Sequence, residues 1–312
     1  MELTNAKLLA IDLHTSEILS IDLASQIILA RIPYLNTYTP IGFFINTAKT
    51  KACLAATTDD EGALFIVDIA TNSLYRLPAK LPHLSQIILT DDFRYAYLVD
   101  HTATLYHFDT TSLNLTPIVN PDIDSCHCNG ISLMEDIIYT IWENEEQGVI
   151  AGFSAQGEIK FERFIGGIPT NLHVLPDKII VTFTKNKLYG EGMAIFPLDE
   201  TNAPTYLVIN PADNCAISAY PCHIALNDEK TRAYITNEDS GSISMIDLLR
   251  HEIIASIQIG RSITTLSLLP DNRFAIAASN MFADLSLIDL VNRRLIAVSE
   301  IEAELSSWLC LY

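Results

Sequence analysis

Residues 221–258 read PCHIALNDEKTRAYITNEDSGSISMIDLLRHEIIASIQ, and the punctuation of this stretch decides the fold. Four short runs rich in β-branched and other apolar residues, 222–226, 232–236, 242–246 and 252–257, are separated by polar breaks at 227–230, at 237–241 and after Asp247. Runs this short, bounded by Asn, Asp and Gly, predict four antiparallel strands joined by tight turns. Asp247 closes the third run, where its carboxylate is expected to accept hydrogen bonds from backbone N–H groups two or three residues on and so turn the chain into the fourth strand.

The same marker recurs along the chain. Ser20-Ile21-Asp22, Ile66-Val67-Asp68, His107-Phe108-Asp109, Gly152-Phe153-Ser154, Pro197-Leu198-Asp199, Met245-Ile246-Asp247 and Leu287-Ile288-Asp289 are spaced 41 to 48 residues apart. Seven units therefore account for all 312 residues. The breaks Thr90-Asp91-Asp92, Pro176-Asp177 and Pro270-Asp271-Asn272 fall between first and second strands of their units, and no unit contains a helical pattern. A repeat of about 44 residues and four strands that cannot cover both of its own faces is the signature of a propeller blade. The expected fold is all-β: a single seven-bladed β-propeller domain over residues 1–312, with four-stranded antiparallel blades. The first unit offers only three strands, at 7–13, 18–23 and 27–32, while one strand, 306–311, is left over at the end. The C-terminal segment is therefore expected to complete the first blade and close the ring.

Composition fits this reading. The chain carries 19 Lys and Arg against 38 Asp and Glu, a net charge of −19, and 49% of its residues are hydrophobic. Its mean hydropathy of +0.24 is high, yet turn residues or charges interrupt every apolar run well short of the roughly 20 residues a membrane helix needs. The hydrophobicity is that of strands such as 136–142 (DIIYTIW), covered on both faces by neighbouring blades. A field this negative argues against nucleic acid and against an anionic membrane surface as partners. With Glu2 and Asp12 among its first residues and no basic segment, the N-terminus does not read as a secretory signal. The expectation is a cytoplasmic monomer with six reduced thiols.

Residues 231–247, TRAYITNEDSGSISMID, resemble the YVTN repeat family of seven-bladed β-propellers. Tyr234-Ile235-Thr236-Asn237 stands in the place of the family's tetrapeptide, and Ser244-Met245-Ile246-Asp247 in that of its following strand. Pro270-Asp271-Asn272-Arg273 opens a weaker copy, while Tyr97-Leu98-Val99-Asp100 and Tyr139-Thr140-Ile141-Trp142 match by position more than by letters. The resemblance implies the propeller over the whole chain. It brings in relatives as varied as surface-layer proteins, a nucleic-acid binder, lactonases and a streptogramin lyase, so it does not choose a function.

Established catalytic motifs are absent: there is no HExxH, P-loop, GxGxxG or GxSxG. Positional reasoning takes their place. Ligands of propellers are expected on the face built by loops entering each innermost strand and loops between second and third strands. Aligning the units puts Gly42, Gln86, Gly130, Asn171, His223 and Thr265 at equivalent places around the channel mouth. The candidate ligand-binding residues are Gln86, His101, Asn129, Asn171, His223, Asn237 and Glu238, and His223 with Glu143 is the best candidate acid–base pair. Loops of this face hold Glu17, Asp59, Asp60, Glu61, Asp100, Glu143, Glu145, Glu146, Glu238, Asp239 and Asp284, against Lys185 and Lys187 in one longer loop, while Lys49, Lys51, Arg94, Lys178, Lys230, Arg232, Arg250, Arg273, Arg293 and Arg294 fall on the other. The molecule is thus expected to be electrically polarised, its acidic face recruiting a small molecule or a basic protein. Cys126, Cys128, Cys215 and Cys222 on the same face could furnish a zinc site, but CxC is not the favoured ligand spacing, so no metal and no cofactor is expected. A non-catalytic binding or scaffolding propeller is the favoured reading, and a lactonase-like hydrolase or lyase the alternative.

Overall fold

The computed structural model describes residues 6–119, 127–143, 147–199, 202–212, 218–279, 281, 284–301, 303 and 305–311, the last six of them by backbone alone. Seven four-stranded antiparallel sheets are arranged as a β-propeller, with no helix among the described residues. In the sixth blade the strands are Pro221–Leu226, Arg232–Asn237, Ser242–Asp247 and Glu252–Gln258, paired in sequence order. The innermost strands of the other blades that follow this order are Thr39–Ile45, Leu84–Leu89, His127–Met134, Ile168–Leu175 and Thr265–Leu268. The first sheet departs from it: its strands Lys7–Asp12, Glu17–Asp22 and Ile27–Pro33 are joined by Leu305–Leu311, which pairs with Lys7–Asp12 from the far end of the sequence.

Burial follows the double covering of the sheets. The second strand Lys51–Thr57 and third strand Gly62–Asp68 are buried almost throughout, whereas the outermost Ile27–Pro33 and Arg294–Glu300 alternate between exposed and covered residues. Each hydrophobic cluster lies between neighbouring blades: Leu9, Ile11 and Ile18 of the first pack with Leu54, Phe65 and Val67 of the second. Every buried side chain of that size contributes about 1.5–3 kcal/mol.

The marker residues do the local work expected of them. Asp22, Asp68, Asp109, Asp247 and Asp289 accept backbone N–H groups of the turn, as in Leu249 and Arg250 onto Asp247 at 2.9 Å each. The fifth unit differs. There Pro197 occupies the ladder position that other units give to the marker, and Asp199 caps the N–H of Asn202 from two residues further on.

These turn bonds hold all five carboxyls below the ordinary aspartate range, chiefly through backbone N–H groups. A folded-state pKa below the unfolded one means that the unfolded chain binds more protons, so this stabilisation is complete above the unfolded value near 3.8 and is lost as pH falls below it. Urea titrations from pH 7 downward are expected to show stability falling below about pH 4, less steeply in Asp68→Asn and Asp247→Asn than in the parent. A parallel fall in all three chains would remove the turn carboxylates as the cause.

Candidate functional site

The first residues of the innermost strands share a geometric device. In five blades the ladder to the second strand skips one residue, between Pro40 and Gly42, Leu84 and Gln86, Cys128 and Gly130, Pro169 and Asn171, and Pro221 and His223. A bulge of this kind bends the strand and re-aims the side chains around it. Here it turns Gly42, Gln86, Gly130, Asn171 and His223, with Thr265 of the seventh blade, toward one cavity of about 460 Å³ at the channel mouth. The skipped residues Ile41, Asn129 and Cys222 line it as well, as does Thr264 of the seventh blade.

The cavity has two unlike walls. Phe44, Ile87 and Ile88 of the second and third blades, with Gln86 beside them, form a mainly apolar side, and Asn129, Asn171, His223, Glu238 and Thr265, with Ile131 and Leu172 among them, a mainly polar one. Gly42 makes room for the apolar wall, since a Cβ there would stand 2.8 Å from the Phe44 ring. Glu143 lies behind the polar wall: Asn129 Nδ2 donates to Glu143 Oε2 at 2.6 Å and to the Pro169 carbonyl at 2.9 Å, tying the fourth blade to the fifth.

His223 is held as a neutral imidazole. Burial pushes its pKa down to about 4, neighbouring His173 adding to the effect, and its Nδ1 is sealed from solvent without a hydrogen-bond partner among the described residues. Burial also takes His173 to about 4, with the Lys230 charge contributing. Glu238 moves the other way, raised by burial and by Asp239. Beside it the Tyr220 phenol is raised, first by burial and then by Glu238, Cys222, Asp239 and Glu143. Glu143, Glu238 and Asp239 thus surround one tyrosine, and none of the three has an ion pair among the described residues.

Of the residues predicted from sequence, Gln86, Asn129, Asn171, His223 and Glu238 are brought together here. Two others are not. His101 sits against His83, ring centres 5.2 Å apart, on the exposed surface between the second and third blades, and Asn237 is buried inside the sixth blade. Nothing in the one-dimensional pattern marked Phe44, Ile88 or His173, because strand alternation gives each a core reading equally well.

The thiols take separate places. Cys128 is 5% exposed in the cluster with Val99, Ile138 and Trp142, while Cys222 packs against Thr236 Oγ1 at 3.2 Å and the carbonyls of Ile263 and Thr264. Burial pushes both to about 12, so both are neutral. Cys126, Cys215, Glu145 and Glu146 lie outside the described residues.

The expected polarisation needs correction. Fourth strands end on the mouth face, as the Glu17–Pro33 pairing shows, and deliver cations there: Arg31 reaches Glu17 at 2.8 Å, Arg76 reaches Glu61 at 2.7 Å, and Arg261 pairs with Asp284. On the opposite face the bases stand beside marker carboxylates, Lys51 across the ladder from Asp68 and Arg232 from Asp247. Both faces are therefore mixed, and the mouth-face carboxylates without an ion pair among the described residues are Glu143, Glu238 and Asp239, together with Asp59, Asp60 and Asp100.

No family model matches the chain, and no curated protein matches it. Solved structures do. A protein from Lactobacillus plantarum superposes with a TM-score of 0.72 at 15% identity over 98% of this chain and 99% of its own. A functionally unknown protein from Desulfotomaculum acetoxidans gives 0.72 at 12% identity, covering 98% of both chains. Hydrazine synthase of Kuenenia stuttgartiensis gives 0.68 at 15% identity, over 92% of this chain and 90% of that one. At these identities the likeness establishes the seven-bladed propeller and carries no activity across.

Proposed function

We propose that the protein is a non-catalytic binding propeller that takes a small amphipathic cation into the cavity at the channel mouth. The observation that carries this reading is the cavity itself: an apolar wall of Phe44, Ile87 and Ile88 faces Asn171, His223 and Glu238 across about 460 Å³, a volume typical of small-molecule sites. The unpaired carboxylates Glu143, Glu238 and Asp239 supply the attraction for positive charge. The likeness of residues 231–247 to the YVTN repeat belongs to the same proposal and is compatible with it.

Catalysis fits less well. An imidazole with a pKa of about 4 is a weak base at neutral pH, where an efficient general base titrates near the working pH. Cys222, at about 12, is no nucleophile. His223 and Glu238 do line one cavity, and this keeps a lactonase-like or lyase reading as the second choice.

Calorimetric titration with phenethylamine and its neutral isostere 2-phenylethanol separates the readings. The amine is expected to bind at least tenfold (about 1.4 kcal/mol) more tightly than the alcohol and to lose that advantage in Glu238→Gln. Binding should also fade as pH drops through the raised carboxyl range of Glu238 and as salt rises. Equal binding of amine and alcohol would sink the cation preference. Turnover of a lactone panel that disappears in His223→Ala, with melting unchanged, would replace binding by catalysis.

A further inference from the structure

A second cleft, of about 280 Å³, opens between the outer parts of the fifth and sixth blades and shares no lining residue with the mouth cavity. Its sixth-blade wall is a ladder of hydroxyl and amide groups. Ser244 pairs across the sheet with Ser256, and Ser242 with Gln258, so all four side chains leave the same face. The equivalent position in the second blade is Phe65, buried in the cluster against the first. A serine in that place leaves the inter-blade space open and wets it.

Asn237, the last residue of the Tyr234-Ile235-Thr236-Asn237 tetrapeptide, stands behind this wall. Fully buried, it donates from Nδ2 to Ser242 Oγ at 3.0 Å and Ser244 Oγ at 2.9 Å. Both hydroxyl oxygens are thereby engaged as acceptors, which leaves their own protons to be given away. Ser242 shares with Ser240 at 2.9 Å, but Ser244 has no acceptor among the described residues. Ser256 and Gln258, both exposed, make no side-chain hydrogen bond among the described residues, so the wall offers donors and acceptors side by side.

The opposite wall is equally prepared. Glu191 receives Asn210 Nδ2 at 2.8 Å, the Ala219 N–H at 2.6 Å and Ser218 Oγ at 2.8 Å, which fixes Asn210 and Ser218 where they border the cleft. Burial would raise the Glu191 carboxyl, but these bonds outweigh it and the group stays ionised. Among the described residues no charged side chain lines the cleft, and the carboxylate behind its wall opposes anions. The space would hold about nine waters at about 30 Å³ each.

We propose that this cleft binds a neutral polyhydroxy compound of monosaccharide size, recognised by the paired hydroxyl and amide groups of Ser244, Ser256 and Gln258, Ser244 being oriented from behind by Asn237. The site is independent of the mouth cavity. The full-length protein is titrated with D-glucose, D-galactose, D-mannose and myo-inositol by calorimetry and saturation-transfer NMR, with glucose 6-phosphate as the charged counterpart. At least one neutral polyol is expected to bind saturably, and Ser256→Val and Gln258→Leu are each expected to weaken it about tenfold. Both changes fall at exposed positions and should leave the melting curve unmoved, and Glu238→Gln should leave the affinity unmoved. Failure of all four polyols to bind, affinity that survives both substitutions, or equal binding of glucose 6-phosphate would overturn the assignment.

Discussion

Deleting residues 305–312 is expected to leave a chain that no longer unfolds cooperatively, because we propose that this segment closes the ring. It supplies the fourth strand of the first sheet, with Leu9 opposite Cys310 and Ala10 opposite Leu309. Without it the strand Lys7–Asp12 becomes an open edge in a place where its neighbours are buried. Leu305, wholly buried, packs with Leu8, Leu19, Leu285 and Ile301 in the cluster between the seventh and first blades. Removing it exposes several large side chains at about 1.5–3 kcal/mol each, besides backbone groups at about 1–3 kcal/mol each when left buried and unpaired. Together these losses rival the whole net stability of a domain, about 5–15 kcal/mol. Circular dichroism of the truncated chain should show a broad, non-cooperative transition well below that of the parent. A truncated chain that melts like the parent would remove the closing role from this segment.

The second large effect is expected at Trp142. Among the described residues it is the bulkiest wholly buried side chain, set between the third and fourth blades with Val99, Leu105 and Phe153. Its Nε1 donates to Thr140 Oγ1 at 2.7 Å, and that hydroxyl in turn donates to the Ala151 carbonyl at 3.3 Å. Trp142→Ala opens a cavity and strips Thr140 of its donor, for an expected loss of about 3–5 kcal/mol. Trp142→Phe keeps most of the packing and gives up the hydrogen bond, so a loss nearer 1 kcal/mol is expected from that bond. Urea midpoints at constant slope measure both. The change should also reach the channel mouth, since Trp142 faces Cys128 across the ladder and precedes Glu143, which anchors Asn129. Phenethylamine binding weakened by Trp142→Ala under conditions where the variant is still folded is the expected companion result. A loss below about 1 kcal/mol for the alanine variant would contradict the packing account.

Period and punctuation carried the fold in one dimension. Seven markers at 41 to 48 residues set the number of blades, and the Asp side chain and the N–H groups it captures lie within three residues of each other, so nothing distant is needed to form the turn. Equivalent places in successive units must ring a common axis, which is why aligning them brought Gln86, Asn171 and His223 to one cavity. Other features depended on neighbours the sequence does not order. A bulge inserts a residue without changing the letters, so Cys222 reaches the cavity unannounced. Fourth strands carry Arg31 and Arg76 to the acidic loops because alternating strand directions end them on that face, and pairing cancels a charge that counting by loop had left standing. Asn237, polar and at the edge of a strand, reads as a ligand residue until the sheet shows both of its amide hydrogens committed to Ser242 and Ser244. Repeat number, strand order and turns are local or periodic properties, and the sequence by itself determined them. Which side chains meet across blades, and which charges and hydrogen bonds remain unspent for a ligand, are pairings between distant residues that only the tertiary structure decided.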